Sequence, residues 1–163
     1  MSLFNRRSLL FLPLVLVACG FTPVYAPGGT GAALRGKVEV EIAAPDSVDT
    51  YLLVENLEER LGRATQPEYS LSIVLVTATQ GQAITANNET TRYSLLGDVA
   101  YDLRKIDSQD VLASGNVNNF TGYSATGSTV ETLASERDAR KRLMVILADL
   151  LTAQLYSTVD LPE

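Results

Sequence analysis

Few residues in this chain can do covalent chemistry. Its 163 residues include one cysteine, Cys19, and no histidine or tryptophan. Without histidine, Ser-His-Asp and Cys-His nucleophile arrangements are excluded. Imidazole-ligated metal sites are excluded too, and no cysteine cluster replaces them. Glycoside hydrolysis needs only two carboxylates, but the 19 acidic residues are scattered with no aromatic sugar platform. A hydrolase built on a pair such as Glu136 and Asp138 is therefore only a third class of function. The chain reads as a non-enzyme with no catalytic residues, no metal site and no dissociable cofactor. What remains is the Cys19 thiol and the context that would make it a lipid acceptor.

That context is Leu16-Val17-Ala18-Cys19-Gly20, at the end of an apolar run of ten residues from Leu9 to Ala18. Arg6 and Arg7 precede it. A membrane-spanning helix needs about twenty apolar residues, so this run is too short to span but fits the apolar core of a signal peptide. Leu-x-Ala-Cys resembles the lipobox, where a diacylglyceryl group is added to the thiol before cleavage at the cysteine. On this reading residues 1–18 are removed and Cys19 carries the acyl lipid, in place of any other cofactor. A plain secretory signal cut elsewhere would leave Cys19 incidental. The Arg6-Arg7 pair leaves both Sec and twin-arginine export open.

Removing Arg6 and Arg7 leaves 11 basic against 19 acidic residues, a net charge of −8. An acidic surface repels phosphate backbones, so nucleic acid is not a partner. With its single cysteine committed, the domain can form no internal disulfide. Its stability must come from packing and hydrogen bonds.

The elements behind the anchor follow from periodicity. Residues 19–36 hold the run Ala26-Pro27-Gly28-Gly29-Thr30-Gly31 and read as a flexible tether that lets the domain stand off the membrane. A single domain is expected over 37–156, followed by a disordered tail at 157–163. Lys37–Ile42 alternates with period two, a strand with Val38, Val40 and Ile42 inward. Ser47–Thr50 caps a helix carrying Leu53, Val54, Leu57 and Leu61 on one face, with Gly62 as its C-cap. Tyr69–Thr77 is a strand with Tyr69, Leu71, Ile73 and Leu75 on one face. Gln80–Asn88 is polar and reads as a turn. Thr90–Leu103 is a long strand, and Val111–Tyr123 another that turns Val111, Ala113, Gly115 and Val117 inward. Ser128 and Glu131 form a capping box for a helix to Tyr156, whose inward stripe is Leu143, Leu147, Leu150 and Leu151. Its charged first half, Glu136 to Arg142, reads as a solvated face. The order β-α-β-β-β-α predicts an α+β two-layer sandwich: a four-stranded, mostly antiparallel sheet with two helices on one face. The other sheet face, with Ser70, Ser72, Ser94, Ser114, Asn116 and Asn118, reads as small and polar.

The chain resembles a known family at several of these points. The lipobox followed by Cys19-Gly20-Phe21-Thr22-Pro23-Val24-Tyr25 is similar to the mature start of the lipopolysaccharide-assembly lipoprotein LptE family. So are Glu89-Thr90-Thr91-Arg92-Tyr93-Ser94-Leu95 and the last helix, with Ser135-Glu136-Arg137-Asp138-Ala139, Arg142-Leu143 and Leu150. The resemblance implies a lipid-anchored outer-membrane protein facing the periplasm. It implies a fold of two helices on a four-stranded sheet. It implies as partners the LptD outer-membrane β-barrel, which such a domain plugs, and lipopolysaccharide, which the pair inserts into the outer leaflet. Gly20 suits outer-membrane sorting. No lipopolysaccharide-contact residues carry over by motif; the basic residues at strand ends and loops that could meet lipid phosphates or the partner are Arg92, Arg104 and Lys105. The alternative is a lipoprotein subunit of a lipid-trafficking ABC transporter, another small anchored α/β domain.

Overall fold

Alternating apolar and polar residues over three long stretches make three long strands, and a fourth, shorter strand pairs at their edge. A computed structural model describes residues 24–27, 29–44, 47–84 and 90–159. In chain order these form α1 (Thr30–Leu34), β1 (Val38–Ala44), α2 (Val48–Leu61), β2 (Tyr69–Ile84), β3 (Thr90–Lys105), β4 (Val111–Ser124) and α3 (Thr129–Thr158). The sheet order is β1-β2-β3-β4, with β1 parallel to β2 and the other pairs antiparallel. The α+β sandwich and its element order are as expected, with one short helix added.

The inner sheet face holds Leu71, Ile73, Leu75, Leu95, Val99, Tyr101 and Leu103, all buried. Against it lie Leu53, Leu57 and Leu61 of α2 and Leu143, Leu147, Leu151 and Leu155 of α3, all fully buried. Each leucine taken out of water contributes roughly 2 kcal/mol. The helix ends are capped as their sequences require. Ser47 accepts from the Thr50 amide, and Gly62 ends α2 at φ +78°. Ser128 and Glu131 form the capping box, with the Glu131 carboxylate 2.6 Å from the Ser128 amide. That hydrogen bond is the main reason the Glu131 carboxyl lies below the usual carboxylate range.

Several local expectations are corrected. Residues 30–36 are not tether: Thr30–Leu34 is helical, Leu34 is fully buried, and the Gly36 amide donates to the Leu61 carbonyl at 2.7 Å. The last helix continues to Thr158 and Val159 is buried, so 157–159 are not tail. Strand β2 continues through Gln80 to Ile84, because its polar residues still pair with β3. Val111 is 51% exposed, since the register shifts between Leu103 and Arg104 and leaves Leu112 as the extra residue on β4. Leu150 is 38% exposed at the margin of the helical stripe, and Ile42 is 39% exposed near the end of the short strand. Cys19, the signal segment and residues 19–23 and 160–163 lie outside the described residues.

Candidate functional site

Both long helices cover one face of the sheet, so the other face is the open surface that the fold presents. Its rows can be read from the register. Ala78, Leu96 and Phe120 stand side by side across β2, β3 and β4. The next row is Val76, Asp98 and Asn118, and the one after it Val74, Ala100 and Asn116. Val76 is 59% exposed and Phe120 65%; Val74 and Leu96 are also exposed. A shallow groove of about 310 Å³ runs between Val76, Ala78, Leu96 and Phe120, with Asp98 and Asn118 on its rim. Asn116 donates to Asp98 at 2.5 Å, which holds the rim carboxylate in place.

This corrects the expectation of a small polar face. The serines and asparagines are there, but an apolar band crosses them. Val74 and Val76 were visible on the mixed face of β2. Leu96 and Phe120 sit out of phase with the buried residues of β3 and β4, and only the register shows that they are neighbours.

The band has different chemistry at its two ends. Toward the start of β2, Glu39, Glu41, Ser70, Ser72 and Asp102 line an acidic depression with Arg104. Arg104 is committed there, its Nε 3.1 Å from an Asp102 oxygen. Toward the start of β3, Arg92 lines a cavity of about 520 Å³ with Gln82, Ser94, Phe120, Tyr123 and Ser124. Arg92 is exposed and makes no ion pair among the described residues. Lys105 is exposed at the far end of β3. Twelve residue steps along the strand separate Arg92 from Arg104, about 40 Å. The three candidate basic residues therefore do not form one site: Arg92 stands at one end, Arg104 and Lys105 at the other.

Two further features were not visible in the sequence. Arg140 is not on a solvated face. Its Nη1 lies 2.5 Å from Asp49 of α2 and its Nη2 2.8 Å from Glu136. Asp49 is 7% exposed, so this pair ties the two helices together behind the sheet. At the other end Tyr25 packs edge-on against Tyr156, centroids 5.7 Å apart. Burial, and then the neighbouring Tyr25, push the Tyr156 hydroxyl up to about 12.

Among the described residues, no group of acidic or thiol side chains could hold a metal, and no helix is long and apolar enough to cross a membrane. No family model and no curated protein matches the chain. Solved structures do. A putative lipoprotein from Caulobacter crescentus CB15 superposes with TM-score 0.62 at 16% identity, covering 79% of this chain and 94% of that one. The rare lipoprotein B from Shewanella oneidensis gives 0.58 at 11% identity, covering 75% and 95%. A minor lipoprotein from Acinetobacter baumannii gives 0.53 at 15%, covering 78% and 98%. At these identities the likeness is one of fold: helices on one face of a four-stranded sheet, an architecture this chain shares with solved lipoproteins.

Proposed function

We propose that this chain is an outer-membrane lipoprotein, acylated on Cys19 and facing the periplasm, that docks in an LptD-type β-barrel and takes part in lipopolysaccharide transport to the outer leaflet. It acts by binding, not by catalysis. The observation that carries this reading is the open sheet face. An apolar band of Val74, Val76, Leu96 and Phe120 runs across three strands with no described element over it. A contiguous apolar patch on a surface marks a place where another molecule sits. The lipobox, the resemblance of the mature start and last helix, and the fold shared with solved lipoproteins support the same reading. Arg92, beside the band and in no ion pair among the described residues, is the candidate basic residue best placed to meet a phosphate of lipopolysaccharide in transit, not of the bilayer that holds the anchor. Arg104 is drawn toward Asp102 instead.

The test is co-purification from detergent-solubilised outer membrane. The wild-type chain is expected to bring down one large barrel. Val76→Asp with Leu96→Asp puts two charges into the band without touching the core, and is expected to abolish recovery while the thermal midpoint of the domain stays within a few degrees. If the wild type recovers no barrel, the reading fails. Recovery of an inner-membrane transporter would instead support the lipid-trafficking ABC system.

A further inference from the structure

We propose that the end of the domain built by Tyr25, α1 and the C-terminus of α3 lies against the lipid surface, with the Thr90 end of β3 pointing away from it. The inference rests on acylation of Cys19. Its own evidence is where the chain enters the fold. The Gly31 amide donates to the Val24 carbonyl at 3.0 Å, and the Gly29 amide donates to Ala26 at 2.8 Å. A Cβ at position 31 would lie 2.6 Å from a Val24 methyl, so the two segments are in close contact. Tyr25 rests on Tyr156, and Leu34 is fully buried. The leash thus ends at Val24, not at Lys37.

Five steps from Cys19 to Val24 reach at most about 18 Å; the whole stretch to Lys37, if free, would reach about 60 Å. The domain is longer than the short leash. The 16 residues of β3 span about 53 Å and the 30 of α3 about 45 Å. A leash of this length cannot let the molecule turn end over end. Thr90 and Ser128 lie at the opposite end of β3 and α3 from Tyr156, so they are held away from the lipid. Charge at the leash end is mixed, with Lys37 paired to Glu68 and with Asp107 and Asp110 in the turn that follows Lys105, so the end-on pose rests on the leash and on Tyr25. At the leash end Arg35 and Lys105 make no ion pair among the described residues, and Tyr25 is 62% exposed. An exposed amphipathic aromatic ring fits the headgroup layer of a bilayer.

The test uses the full acylated chain in phosphatidylethanolamine–phosphatidylglycerol vesicles that contain headgroup spin-labelled lipid. With Cys19 blocked by its lipid, Gln66→Cys at the leash end and Thr126→Cys at the far end each offer one thiol for a fluorophore. Quenching at position 66 is expected to exceed that at position 126 several-fold. A twenty-residue Gly-Ser insertion after Phe21 is expected to erase the difference. Equal or greater quenching at position 126, in a chain whose mass shows the lipid and which floats with the vesicles, overturns the orientation alone. A chain whose mass shows no lipid on Cys19 overturns the anchoring itself, and the orientation with it.

Discussion

Arg140 ties the two long helices together through the nearly buried Asp49, as Arg60 does through the more exposed Asp149. Removing the Arg140 guanidinium leaves the nearly buried Asp49 carboxylate without its cation, and uncompensated buried charge is the costly state. Arg140→Met is expected to lower stability by about 3 kcal/mol, read as a shift in the urea midpoint. Adding Asp49→Asn should recover part of that loss; a double variant as unstable as the sum of the singles would show that the pair is not coupled. Tyr156 is the residue whose chemistry depends on pH. The fold holds its hydroxyl neutral, with an ionisation near 12 against about 10 when unfolded. The unfolded chain then loses its proton first. The contribution is complete below pH 10 and is lost as pH rises through about 12. The Tyr156 hydroxyl is also buried without a hydrogen-bond partner among the described residues. Tyr156→Phe should therefore keep or raise the neutral-pH melting temperature and flatten its alkaline decline. Some decline should persist, since burial also raises Tyr101 and Tyr123. Equal alkaline losses in variant and wild type would count against this role for Tyr156.

Among the elements, α3 packs tightly on the sheet at Gly97. A Cβ there would lie 2.7 Å from a Leu147 methyl and 3.1 Å from one of Leu143. Both leucines are fully buried and have little room to give. Gly97→Ala is expected to cost about 1–3 kcal/mol by overpacking, measured by chemical denaturation. A variant as stable as the wild type would mean that the helix can move outward freely. Element identity was legible in the sequence wherever one face is buried and the other wet, because alternation records that directly: Tyr93 to Leu103, Leu53 to Leu61 and the Ser128 cap are as expected. What was not legible depends on residues far apart in the chain. Asp49 and Arg140 are separated by 91 positions, and no spacing rule pairs them. Leu34 sits in a Gly-rich stretch, and only the core it enters makes it structural. Val111 lost its inward place to a bulge that the register of β3 and β4 decides. The apolar band on the open face failed to show for the same reason, since Leu96 and Phe120 are neighbours only across strands.

On the scale of the whole molecule, one face is closed by helices, the other is open, and one end receives the chain from Cys19. On the proposed function this divides the work: packing holds the domain together, the open face meets a partner, and the lipid confines the encounter to a membrane. Stability and attachment should then be separable. A single acyl chain gives marginal, reversible membrane binding, while two or more hold a protein in place, because each buried methylene contributes about 0.8 kcal/mol. The described domain offers no apolar helix to substitute for the lipid, and no disulfide is at stake at its lone cysteine. The buried core begins at Leu34, fifteen residues after Cys19 in the chain. Cys19→Ser is therefore expected to give a domain with the wild-type melting temperature, found in the soluble fraction of cells lacking the barrel. In cells with the barrel, the same variant should remain partly membrane-associated, through the open face alone. Adding Val76→Asp and Leu96→Asp should then release it completely. Fractionation of the three strains reads both contacts at once. A Cys19→Ser chain that stays in the membrane with no barrel present would sink the lipid-anchor reading, whereas one that is soluble in both backgrounds would leave the anchor intact and count against docking through the open face.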